Sequence, residues 1–139
     1  MALDHRRLNA LALRCWELHD QTRATVAALA NPSLVSGPET AGRMLRRMQI
    51  GAVDMVLLHC MAWLAKAAEK NRPGSRLDVD GRSVPRIFPL AAPIDFQDID
   101  DLVNRMTEET QQLVRDMVAL YGDPSESIEL RLPCEALAE

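Results

Sequence analysis

The chain has 139 residues, 47% hydrophobic but only 4% aromatic, with 16 Lys and Arg against 20 Asp and Glu and three cysteines. A chain of this length buries roughly 68–70% of its unfolded surface, so one domain over residues 1–139 needs neither a disulfide staple nor a structural metal. The net charge of −4 argues against nucleic acid as the main partner, and an odd cysteine count without a C-x-x-C pair argues against a secreted disulfide scaffold.

The opening "MALDHRRLNA" has no apolar stretch before a small-residue cleavage site, so no signal peptide is expected. The longest apolar run, from Ile50 to Ala65, is broken by Asp54 and His59 and is shorter than the ~20 residues of a membrane span. The chain therefore reads as cytoplasmic, with no membrane contact expected. Its charge is lopsided: residues 1–72 carry 10 basic and 6 acidic side chains, and residues 73–139 carry 6 and 14. Two halves that pack together, or copies in contact, would suit that asymmetry.

A first helix is predicted over about residues 4–30. Asp4 is a good N-cap, and Leu8, Leu11, Cys15, Leu18, Thr22, Thr25 and Leu29 recur at steps of three and four. Asn31-Pro32 stops it. A second helix is predicted over about residues 37–71, opened by Ser36 and Glu39 at capping-box spacing and closed by "RPG". At about 100° per residue it is apolar on two sides from Ile50 onward. One side, carrying Met44, Met48, Met55, Val56, His59 and Trp63, is the larger and is expected to face the core. The other, carrying Ile50, Leu57, Met61 and Leu64, is expected to be left over.

Residues 73–94 are rich in Pro and Gly. Within them Asp80-Gly81 between short extended runs predicts a small β-hairpin over about residues 76–88. A third helix is predicted over about residues 95–121, with acids at its start and a seam from Ile99 to Leu120; Gly122-Asp123-Pro124 ends it. "SIELRLP" alternates apolar and polar residues and predicts a short C-terminal strand over about residues 127–132. The expected fold is mainly α: an antiparallel bundle of three long helices with a small hairpin and a final strand.

Several polar residues in the apolar stretches invite a functional reading. Cys15 and His19 are four apart on one helix face and could both reach one metal ion. Their C-x-x-x-H spacing resembles the end of the C-x-x-C-x-x-x-H motif of alkylhydroperoxidase-D-like helical proteins, but Ala12 stands where the first cysteine would be. Without that thiol the disulfide chemistry is lost. Asp54 and His59 lie about 140° apart around helix two, so they do not share a ligand from that helix alone. Asp100, Asn104 and Glu108, at i, i+4 and i+8, resemble the second metal motif of class I terpene synthases, in which three oxygen ligands hold magnesium. The larger helical barrel and separate Asp-rich motif of those enzymes have no counterpart in this sequence. The D-x-D of "LDVDG" lacks the rest of a calcium loop and reads as a turn. Arg43, Arg46 and Arg47 are read as a solvated basic face, or as partners for the acidic C-terminal half.

No complete catalytic set emerges, and no metal or other cofactor is expected. Asp54 is expected to pair with Arg14, which a short first link would bring level with it, or with Arg47 two turns before it. The leading functional reading is a non-catalytic protein-interaction or regulatory module, acting as a helical homodimer or an adaptor. Ile50, Leu57, Met61 and Leu64 would form its two-fold interface, of more than ~1,000 Å². The rival reading is a small metal- or ligand-binding protein, possibly an enzyme, that uses Cys15, His19, Asp54 and His59.

Overall fold

The computed structural model describes residues 4–30, 41–82 and 96–121. Asp4 adopts extended dihedrals, and its carboxylate accepts a hydrogen bond from the Arg6 N–H at 2.9 Å. That bond satisfies one of the free N–H groups at the start of α1, His5–Leu29. The second helix, α2, spans Ala41–Asn71 and runs unbroken through Gly51, about 45 Å at 1.5 Å per residue. Gly74, at φ +81°, turns the chain out of it, and its N–H reaches back to the Glu69 carboxylate. The third helix, α3, spans Phe96–Tyr121.

Side-chain contacts fix how the helices run. Cys15 meets Leu57 and His19 meets Asp54, so α1 and α2 are antiparallel. Arg14 pairs with Asp116 and Thr25 touches Met106, so α3 is antiparallel to α1. Arg46 near the start of α2 pairs with Asp100 near the start of α3, so these two are parallel. Parallel neighbours require the link between them to travel back along the bundle. Its described part, residues 72–82, does so over α1. The Asn9 side chain donates to the Asp78 carbonyl at 3.0 Å and accepts from the Asp78 N–H, while Arg82 pairs with Asp20 one helical stretch further on.

This link corrects the hairpin expectation. Residues 75–79 pair with no strand among the described residues: the Asn9 amide takes the backbone groups of Asp78, and Leu77 and Val79 pack on the core. Asp80-Gly81 does form a turn. The far arm of the expected hairpin and the expected strand at 127–132 lie outside the described residues. Among the described residues the fold is a three-helix bundle without strands.

The core has two apolar clusters. The first joins Leu8, Leu11, Cys15 and Leu18 of α1 to Leu57, Cys60 and Leu64 of α2 and to Leu113 and Met117 of α3. The second joins Leu29, Ile50, Ile99, Leu102, Val103 and Met106 at the opposite end. The buried polar residues His19, Thr22, Thr25 and Thr110 gather at the levels between them. The threonines return their hydroxyl protons to helix carbonyls, Thr25 to Gln21 and Thr110 to Met106, each at 2.8 Å.

The facing of α2 is largely the reverse of the expectation, although Val56 and Trp63 of the expected core side still pack on the core. Ile50, Leu57 and Leu64 are fully buried and Met61 packs on the core, whereas Met44, Met48, Met55 and His59 face water. Counting apolar positions favours the methionine side, but chemistry favours the other. Turning the methionine side inward would bury the His59 imidazole, which costs free energy without a partner. The side that is buried carries branched aliphatics of defined shape, and its one carboxylate, Asp54, finds partners in His19 and Thr22.

Candidate functional site

Two features stand out: the polar layer between the clusters, and the outer face of α2. The polar layer centres on His19, whose Nδ1 lies 2.6 Å from Asp54 Oδ1; the two side chains are only 9% and 19% exposed. The Thr22 hydroxyl lies 2.8 Å from both Asp54 Oδ1 and the His19 carbonyl, so its one proton serves two acceptors. Asp54 therefore finds its counterpart in His19 and Thr22, and the expected arginine pairing is corrected. Arg14 sits about one turn nearer the N-terminus of α1, where it binds Asp116 at 2.7 Å. Relative to that expectation, α1 is set a little more than one turn along α2.

An outer shell closes over His19. Trp16 stands edge-on to the imidazole, with ring centroids 5.6 Å apart and planes at 85°. The Arg82 guanidinium lies 5.1 Å from the Trp16 ring and binds Asp20. Trp16, Thr22, Asp20 and Arg82 were not among the sequence-based candidates. Thr22 lies on the α1 seam with His19 one turn earlier, and that spacing is the only sequence signal for it. Nothing in the sequence signals that Arg82, beyond a turn, folds back onto Trp16.

Cys15 sits one turn before His19 yet points elsewhere. Its thiol donates to the Leu57 carbonyl at 3.2 Å, beside the Cys60 thiol, and both sulphurs are fully buried. The hydrogen bond with Cys60, and after it burial, pushes the Cys15 thiol far above its ordinary range. Cys60 is held down chiefly by the hydrogen bond from Cys15, against its own burial. A thiol kept protonated and dry is a poor nucleophile and a poor metal ligand.

The structure thus brings Cys15, His19 and Asp54 to neighbouring levels, as the rival reading needs, but aims the sulphur away from the histidine–carboxylate pair. His59 is exposed on the far side of α2 and joins none of them. Asp100 is taken by Arg46, and Asn104 and Glu108 are exposed. Among the described residues no three histidine, cysteine or acidic side chains converge as a metal would require. A carboxylate-anchored imidazole can orient and exchange a proton, but the hydroxyl beside it, Thr22, is buried and gives its proton to Asp54 and the His19 carbonyl.

The outer face of α2 is apolar. Met44, Leu45, Met48, Met55 and Leu58 are 55%, 49%, 70%, 62% and 48% exposed, and all the exposed large hydrophobic side chains among the described residues lie on this one helix. Between Met44 and Ala62 the face holds Gly51 and His59, and its one charged residue, Arg47, stands at the edge beside Leu58. From Met44 to Asn71 the helix is long and apolar enough to cross a membrane, with a mean hydropathy of 1.5 in its best window. The interface expected on Ile50, Leu57, Met61 and Leu64 is occupied by the chain's own core, so any contact surface on α2 is the opposite one. No family model, curated protein or solved structure matches the chain.

Proposed function

We propose that the chain is a non-catalytic protein-interaction module whose contact surface is the outer face of α2. The observation that carries this reading is the confinement of the exposed large apolar side chains among the described residues, Met44, Leu45, Met48, Met55 and Leu58, to the outer side of one helix. At roughly 200 Å² of accessible surface for a whole Met or Leu, these five expose on the order of 500 Å², at the upper end of what monomers leave open. Methionine suits such a role, because its flexible, polarisable chain adapts to a partner's shape. The polar layer behind the face has a supporting task. Asp54 meets its partners only when α1 and α2 are in register and α2 keeps its present facing, and this alignment presents the methionines outward. A reducing, cytoplasmic setting belongs to the same reading, which the odd cysteine count without a C-x-x-C pair favours. The pairing of Asp54 with His19 favours a bundle helix with one open face over a membrane-spanning one.

Brief peroxide treatment followed by mass spectrometry tests the reading. In dilute purified protein Met44, Met48 and Met55 should oxidise quickly and the buried Met106 and Met117 slowly. In intact cells the three outer methionines should be protected. Equal oxidation in both settings would overturn the proposal, as would protection that anionic phospholipid vesicles reproduce with purified protein.

A further inference from the structure

The outer face of α2 has a pattern of large and small residues that is complementary to itself. Gly51 lies near its middle, where a Cβ would meet nothing within 4 Å. Glycine inside a helix is unfavourable by about 1 kcal/mol relative to alanine, and neither a positive φ nor a neighbour within the chain calls for it here. A partner backbone coming close at that point would. One turn away stands Met55, among the most exposed large side chains on the face.

A two-fold axis crossing α2 near residue 53, with the helices antiparallel, sets each Met55 against the partner copy's hollow at Gly51. The same axis brings Met44 level with Ala62 of the other copy, again a long side chain opposite a small one. It also brings Met48 and Leu58 of opposite copies to one height on the two flanks of the contact, where they close it. Two large-on-small matches, with the Met48 and Leu58 flanks closing around them, fit an isologous interface, residue i meeting j while j meets i. The charge of the face adds little that is unfavourable, since Arg47, at its edge beside Leu58, lies six residues from the axis and so about 18 Å along the helix from its symmetry mate. Doubling the exposed surface of Met44, Met48, Met55 and Leu58 gives roughly 900 Å², close to the threshold that separates specific interfaces from casual contacts.

We infer that the occupant of the α2 face is a second copy of this chain, bound antiparallel about an axis near residue 53 with Met55 seated on Gly51. This rests on the proposed use of that face and adds the partner and its register. Sedimentation equilibrium of the full chain from roughly 1 to 100 µM should give a mass approaching twice that of one chain. Gly51→Leu should weaken dimerisation by about tenfold or more by filling the hollow. It should also leave the helical circular dichroism intact and the melting temperature of dilute protein unchanged or higher, because leucine is the better helix former. That combination separates a lost interface from a lost fold. In a Cys134→Ser background, mixing Met44→Cys with Ala62→Cys chains should give a mixed disulfide in preference to Met44→Cys with itself.

A wild-type monomer throughout the concentration range overturns the inference; if Met44, Met48 and Met55 are still protected in cells, the interaction reading stands and the partner is a different protein. A dimer that Gly51→Leu leaves unweakened, or that cross-links through Met44→Cys pairs, overturns the register.

Discussion

Replacing Asp54 with alanine tests the role of the polar layer directly. The carboxylate accepts from His19 at 2.6 Å and from Thr22 at 2.8 Å. Thr22 keeps a second acceptor in the His19 carbonyl, so it loses little. His19 loses the partner of its Nδ1 in a side chain only 9% exposed. A hydrogen bond to a charged group contributes about 1.5–3 kcal/mol, and stranding a buried polar group costs a similar amount. Part of this is offset by solvent, since the Asp54 side chain is 19% exposed. The expected loss is therefore about 1–3 kcal/mol, read by urea denaturation at fixed protein concentration so that any association does not shift the midpoint. His19→Leu alone should cost a comparable amount. The double variant Asp54→Leu with His19→Leu should recover much of the loss, because a polar pair replaced by hydrocarbon leaves nothing stranded. Additive losses, or single losses below about 0.5 kcal/mol, would show that the pair is a surface contact without structural weight.

Leu57→Ala should destabilise the chain by about 2–5 kcal/mol, because Leu57 is fully buried in the core. Met48→Ala should change the stability of dilute protein by no more than about 0.5 kcal/mol; similar losses at both sites would contradict the facing of α2. Native protein at mildly alkaline pH should expose neither Cys15 nor Cys60 to a thiol reagent until it opens, since both are buried and Cys15 is held protonated beside Cys60. Prompt labelling of Cys15 would refute that. The Asp116 carboxyl should titrate below the ordinary aspartate range, held there first by the Arg14 hydrogen bond and then by Gln112. Its contribution is present above the unfolded value near 3.9 and is lost as pH falls through the lower folded value. Being well exposed it is small, and carboxyl NMR on Arg14→Leu should show the titration move back up.

What the sequence by itself determined is local. Asp4 announces the start of α1, the steps of three and four from Leu8 to Leu29 mark its buried side, and Asp80-Gly81 marks a turn. Each of these depends on residues within a turn or two, whose spacing the chain states outright. The facing of α2 is a different kind of fact. That helix offers two apolar sides, and the choice between them depends on which polar residues find partners across the bundle. With His59 in water and Asp54 against His19, the aliphatic side goes in and the methionines stay out. The level of α1 along α2 is likewise tertiary. A shift of little more than one turn hands Asp54 to His19 and sends Arg14 to Asp116, and nothing within either helix records it. The return of the link over Trp16 through Arg82 is of the same kind. A turn in the sequence states that the chain changes direction, whereas the surface it lands on depends on the packing of helices far away in sequence.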